Sequence, residues 1–148
     1  MDPAVKEKVM NSFHQQQVMK TIGASIHRVE SGTVVIMLPF SPSLTQQHGF
    51  LHAGIVTTAM DSACGYAALS TMPLNAGVLS IEFKVNLLAP ARGKNFKAAG
   101  KVIKAGRNIT VTQGKLWALP ENSDNGGKLV ATMTATLMSV YDRKNISN

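Results

Sequence analysis

Eight carboxylates make up the whole acidic supply of this 148-residue chain: Asp2, Asp61, Asp124, Asp142, Glu7, Glu30, Glu82 and Glu121. Asp61 stands apart from the other seven. From His52 to Ser70 the chain is almost wholly apolar or small, without Lys or Arg, and Asp61 is its one charge. A carboxylate in such surroundings is either tied into the fold by hydrogen bonds or kept partly desolvated as a nucleophile or general base. No basic residue lies within a helical turn of it, so any ion partner has to come from elsewhere in the fold or from another subunit.

The start of the same segment is the second feature. His52-Ala53-Gly54 follows a loop containing Gly49. A helix beginning there presents free N–H groups and the positive end of its dipole, which suit an oxyanion or a carbonyl oxygen, and Gly54 permits close approach. Asp61 is nine positions after His52, about 13 Å along a helix and on its opposite side. One chain cannot bring both to one reacting carbon. If both act on one substrate, two copies of the helix must run side by side and antiparallel, with two equivalent sites in a C₂ dimer.

Other reactive types carry less. Cys64 has no evident base and reads as a small buried residue. His14 and His27 stand alone. His48 and His52 are four apart, but Gly49 argues against a helix between them and no third ligand is apparent, so no metal is expected. Gly-rich phosphate loops are absent.

The positioning elements follow from periodicity. Residues 4–17 read as a helix, with Val5, Val9 and Phe13 at a spacing of four. The span 21–38 reads as two strands joined at Glu30-Ser31-Gly32, and Pro39 and Pro42 break the pattern. Residues 41–51 form a polar loop. The segment after it reads as a helix buried on all sides, whose small residues let a sheet wrap closely around it. Leu79, Ile81, Phe83, Val85 and Leu87 then alternate with Ser80, Glu82, Lys84 and Asn86. Strands over 95–104 and 107–118, turning at Ala105-Gly106, and a last one over 128–140 complete an α+β pattern. The whole chain, 1–148, reads as one domain, with residues 1–18 carrying the N-terminal helix and 141–148 a frayed tail.

Composition agrees. The chain is 45 % hydrophobic and 16 % charged, which excludes a disordered protein. A single cysteine excludes a disulfide framework, and the polar N-terminus has no secretory signal pattern. No apolar run is long enough to cross a membrane. A cytoplasmic location is the expectation.

Gln46, Gly49, His52-Ala53-Gly54 and Asp61, nine after the histidine, resemble the helix-entry motif of hotdog-fold acyl-CoA thioesterases of the phenylacetate-pathway (PaaI-like) group. The stretch from Gly77 to Lys84 with Leu88-Ala89-Pro90-Ala91 is similar to the group's long strand, and Gly106-Arg107 and Lys128-Leu129-Val130-Ala131 fit as well. The similarity covers about residues 20–140. It implies a hotdog fold, an antiparallel sheet wrapped around a long central helix. It also implies a homodimer with a continuous sheet, assembly into a homotetramer, and hydrolysis of an acyl-CoA thioester without a cofactor.

By position, the resemblance makes Asp61 the nucleophile or the base that activates water, and the Ala53 N–H the donor to the thioester carbonyl. His52 and Gln46 would orient that edge of the site or the water, and Ser80 would assist Asp61 from the same chain. Two positions depart from the pattern. Ala53 adds a methyl where the motif has glycine, and Gln46 is one bond longer than the asparagine of some members. By its strand period, Ser80 falls on the polar face, away from the helix.

Phe83 to Pro120 carries Lys84, Arg92, Lys94, Lys97, Lys101, Lys104, Arg107 and Lys115 and no acid. Most of these read as solvated strand faces and hairpin tips. Arg92 and Arg107 are the expected contacts to coenzyme A phosphates, because guanidinium pairs well with phosphate oxygens. Phe50 is expected beside the substrate. Nucleic acid is disfavoured, since no aromatics interleave with the basic residues. Two other readings stay open: a hotdog dehydratase or hydratase acting on an acyl thioester, and a non-catalytic acyl-CoA-binding module.

Overall fold

The computed structural model describes residues 1–141 and 146. Two short helices, α1 (Pro3–Gln15) and α2 (Gln17–Thr21), lead into the hairpin of β1 (Ser25–Glu30) and β2 (Thr33–Pro39). A 3₁₀ turn (Pro42–Leu44) and a loop precede the long helix α3 (Ala53–Leu69). Four strands follow: β3 (Gly77–Leu87), β4 (Asn95–Ala105), β5 (Ile109–Ala118) and β6 (Lys128–Val140). They form one antiparallel sheet in the order β1-β2-β4-β5-β6-β3, curled around α3 in the expected hotdog arrangement.

Small residues on both surfaces make the wrapping possible. Ala59, Ala63, Ala67 and Ala68 of α3 are fully buried, and Gly100 of β4 and Gly114 of β5 face them. A Cβ at Gly100 would land on the Ala63 backbone, and one at Gly114 would come within 2.9 Å of Cys64 Sγ. Helix and sheet therefore touch at backbone distance, with Phe96, Leu116, Met133 and Leu137 filling the space beside the contact. No helix among the described residues is long and apolar enough to cross a membrane.

Three expectations need correction. The N-terminal helix does not run unbroken to residue 18. It stops at Gln16, which is extended (φ −69°, ψ 105°), and resumes as α2 to Thr21. Residue 21 therefore ends a helix instead of opening a strand. Its hydroxyl bonds back to the Gln17 carbonyl, and Gly23 at φ 71° makes the turn into β1. The tail over 141–148 lies outside the described residues, Tyr141 and Ile146 apart.

The third correction concerns β3. Its pairing with β6 slips between Ser80 and Glu82. Residues directly opposite in an antiparallel pair share a face, so the partners on β6 give each residue's side. Val78 and Ser80 stand opposite Ser139 and Leu137, buried residues of the helix-facing side. Past the bulge, Phe83, Val85 and Leu87 stand opposite Ala135, Met133 and Ala131 on that same side. The one-residue bulge at Ile81 swaps the phase of the alternation. Ser80 thus faces α3, not solvent-side polar surface as a uniform period would have it.

Candidate active site

His52 caps α3. Its Nδ1 accepts the Gly54 N–H at 2.9 Å, which sets the neutral ring as the Nε2–H tautomer. The Ile55 and Val56 N–H groups both donate to the His52 carbonyl. The His52 N–H donates to the Leu44 carbonyl at 2.9 Å, so with Gly54 and Ile55 three of the four donors that the helix start leaves open are satisfied locally. The Ala53 N–H has no hydrogen-bond partner among the described residues, and Ala53 is half-buried. For Gly54 the structure gives a different use from the expected one. Its N–H is taken by the cap, and a Cβ there would sit 3.1 Å from the His52 ring. The missing side chain makes room for His52.

Ala53 opens onto a groove of about 480 Å³ whose walls include Gln46, Phe50, Val56, Leu87 and Leu88. Gln46 Oε1 accepts the N–H groups of His48 at 2.6 Å and Phe50 at 3.3 Å, so its amide is fixed by its own loop with the Nε2–H donors left for other partners. The Arg92 guanidinium carbon lies 5.1 Å from the centre of the Phe50 ring, which brings that cation to the mouth of the same groove.

Asp61 lies eight residues further along α3, about 12 Å by helical rise. It is half-buried, and the Ser80 hydroxyl donates to Oδ1 at 2.7 Å. Among the described residues it makes no ion pair. It borders a separate cavity of about 240 Å³ whose lining includes Ser80, Gly65 and Tyr66. Burial pushes the Tyr66 phenol above its ordinary value, against a smaller opposing effect from Ser12, so the ring hydroxyl is neutral at physiological pH. Burial likewise pushes Cys64, one turn on, up to about 11. A thiol so held is not a nucleophile at neutral pH.

The chain therefore brings its candidate residues together as two clusters. Gln46, Phe50, His52, Ala53, Gly54 and Arg92 gather at the helix start. Asp61 and Ser80 gather at mid-helix. Arg107 joins neither within one chain. It sits on the exposed β4–β5 hairpin tip, at the end of β4 opposite to Arg92, with the eleven residues of β4 between them.

The α1–α2 junction also belongs to the Asp61 cavity, and the sequence reading missed it. Ser12, Gln15 and Gln16 line it. One signal was available: Ser12 is a polar residue within the stripe of Val9 and Phe13, and it is buried with them.

The sequence pattern described as the thioesterase superfamily matches residues 48–123. A solved thioesterase family protein from Silicibacter pomeroyi is 48 % identical, over 93 % of this chain and 99 % of that one, with a TM-score of 0.88. The 1,4-dihydroxy-2-naphthoyl-CoA hydrolase of Listeria monocytogenes is 25 % identical over 127 residues, covering 86 % of this chain and 98 % of that protein. The PaaI protein from the phenylacetic acid degradation operon of E. coli shares the fold, at 16 % identity and a TM-score of 0.82 over 93 % of this chain and 94 % of that one.

Proposed function

We infer that this chain, which belongs to the thioesterase superfamily, hydrolyses an acyl-CoA thioester to the free acid and coenzyme A, and that two copies of it build each reaction centre. The reading of the site rests on one observation. The unpartnered Ala53 N–H and the Asp61 carboxylate open onto different cavities, about 12 Å apart on one helix. Neither half is sufficient for acyl transfer, which needs an attacking oxygen and a donor to the developing oxyanion at one carbon.

The edge of β3 supports the pairing of the halves. It is eleven residues long, has no strand beside it on one side among the described residues, and carries Leu79, Ile81, Phe83 and Leu87 at 40, 52, 46 and 56 % exposure. An apolar edge of that length is a template for a second strand. Antiparallel pairing of two β3 strands about a two-fold axis sets the Asp61 end of one protomer against the helix start of its partner. The same operation sets Arg107 of one chain toward the end where Arg92 of the other lies.

In this arrangement Asp61, oriented by Ser80, activates water or attacks the thioester carbonyl directly. The Ala53 N–H of the partner stabilises the oxyanion, assisted by the positive end of α3. His52 is a positioning residue: by holding Gly54 it leaves Ala53 as the exposed donor. Arg92 and Arg107 attract the coenzyme A phosphates. The tetrahedral intermediate collapses with loss of the coenzyme A thiolate; where water attacked, this gives the free acid, and where Asp61 attacked, it leaves an acyl–Asp61 anhydride that water then hydrolyses to the acid and the free carboxylate.

Release of free thiol from a panel of acyl-CoAs, wild type against Asp61→Ala, tests this reading. Turnover by the wild type and its loss in the variant are expected. Binding without thiol release would mark a non-catalytic module, and hydration of an enoyl-CoA would mark a hydratase.

A further inference from the structure

The cavity beside Asp61 has three walls from three parts of the chain. Helix α3 contributes Asp61, Ser62, Gly65 and Tyr66, and β3 contributes Val78 and Ser80. Ser12, Gln15 and Gln16, from α1 and its junction with α2, form the third. That third wall precedes the span matched by the family pattern, residues 48–123. Two hydrogen bonds fasten it to α3. The Ser62 hydroxyl donates to Gln16 Oε1 at 3.1 Å, and the Ser12 hydroxyl approaches the Tyr66 hydroxyl at 3.4 Å. The Phe13 ring packs edge-on against Tyr66, with centroids 5.8 Å apart. The helix break at Gln16 falls at this junction.

Gly65 is the other unusual wall. A glycine inside a helix costs stability relative to alanine. At Gly100 and Gly114 close packing explains the glycine. At Gly65 it does not, because a Cβ there meets no heavy atom within 4 Å. What the missing methyl leaves is empty volume, one helical turn from Asp61 and on the same side of the helix.

The two ends of a thioester substrate can be assigned to the two cavities by charge. Among the described residues Asp61 is the one charged residue lining this cavity, so a polyanionic coenzyme A meets no cation among them here. Arg92 stands at the helix-start groove instead. The acyl group is then the part that enters beside Asp61.

We propose that Gln16, latched to Ser62, and Gly65 are specificity-determining residues that set the bulk of the acyl group from two sides of its cavity. The proposal rests on the reading of Asp61 as the reacting carboxylate. It gives the segment before the family pattern, through Gln16, a share in selecting substrate, opposite Gly65 within the pattern. Gln16 closes the space, and Gly65 keeps it open.

The test is kcat/KM for a series of acyl-CoAs of graded length and ring size, with the full chain as wild type, Gln16→Ala, Gly65→Ala and Asp61→Asn. Each enzyme is read as the ratio of a bulky substrate to the wild type's best one, so a partly unfolded preparation cancels. Gln16→Ala is expected to raise that ratio about 10-fold, and Gly65→Ala to lower it about 10-fold, the discrimination that a methylene or two supplies in a fitted pocket. Opposite shifts are not the signature of general loosening. Ratios within twofold of wild type in both variants, or shifts of both in the same direction, overturn the proposal while wild-type turnover and its loss in Asp61→Asn keep the thioesterase reading intact. Absence of thiol release from every substrate in the wild type removes both.

Discussion

The two edges of the sheet are built on opposite terms. β1 has six residues, a register slip between Ile26 and Arg28, an Arg28–Glu30 ion pair on its surface and α1 packed nearby. Charges, bulges and covering helices are the usual means of stopping one edge from pairing with another. β3 has a bulge too, but is nearly twice as long, carries exposed apolar residues on both faces, and has no strand beyond it among the described residues. The bulge of β1 blunts an edge, whereas that of β3 turns Ser80 onto Asp61 without shortening the strand. The lesson is that a bulge's meaning depends on what it re-aims. On β3 it aims a hydroxyl at the Asp61 carboxylate and leaves the strand at its full eleven residues.

The sharpest way to break this contrast is to give β3 the defence that β1 has. Ile81→Lys with Phe83→Lys should convert the assembly to monomer by sedimentation or light scattering. Turnover should fall with it by about 10² to 10³-fold, the usual cost of losing an oxyanion donor. Arg28→Ala on β1 should leave both mass and turnover as in the wild type. Turnover persisting in a monomeric β3 variant would end the shared-site account.

A smaller step leaves the assembly whole and removes one donor. Ala53 is the first residue of α3, where proline is tolerated, and His52 before it is already extended at ψ 139°. Ala53→Pro should lower kcat about 10²-fold with little change in melting temperature. Removing the Ser80 hydroxyl costs less. A hydrogen bond to a charged group is worth about 1.5 kcal/mol at the low end, which applies to this solvent-exposed one, so Ser80→Ala should reduce kcat/KM by roughly 10-fold.

The least effect belongs away from the β3 edge, at Cys64, which faces Gly114 and Thr112 of the central strand β5. With its thiol held near 11 by burial, native protein at pH 8 should react with a thiol reagent far more slowly than unfolded protein does. Rapid labelling of the native state would show that the helix–sheet contact opens.

Much of this architecture is legible in the residues themselves. The all-apolar segment around Asp61 announces a buried helix, and its small residues announce a sheet at close range, as Gly100 and Gly114 confirm from the other side. The chemistry at the helix start is partly legible: the sequence marks free donors there, but only the His52 cap shows that Ala53 is the donor left over. The facing of Ser80 is not legible, because register is a property of a strand pair and the slip at Ile81 is set against β6. Nor is the role of Ser12 and Gln16, whose meeting with Tyr66 and Ser62 spans some fifty residues of chain.

Mixing two crippled chains probes the shared centre most directly. Asp61→Asn keeps its helix-start donor, and Ala53→Pro keeps its carboxylate. Refolded together in equal amounts, half of the dimers should be mixed, each with one intact centre of two, so activity should recover to about a quarter of wild type. Activity no higher than the mean of the separate variants, with mixed dimers demonstrated by mass, would show that each chain works alone.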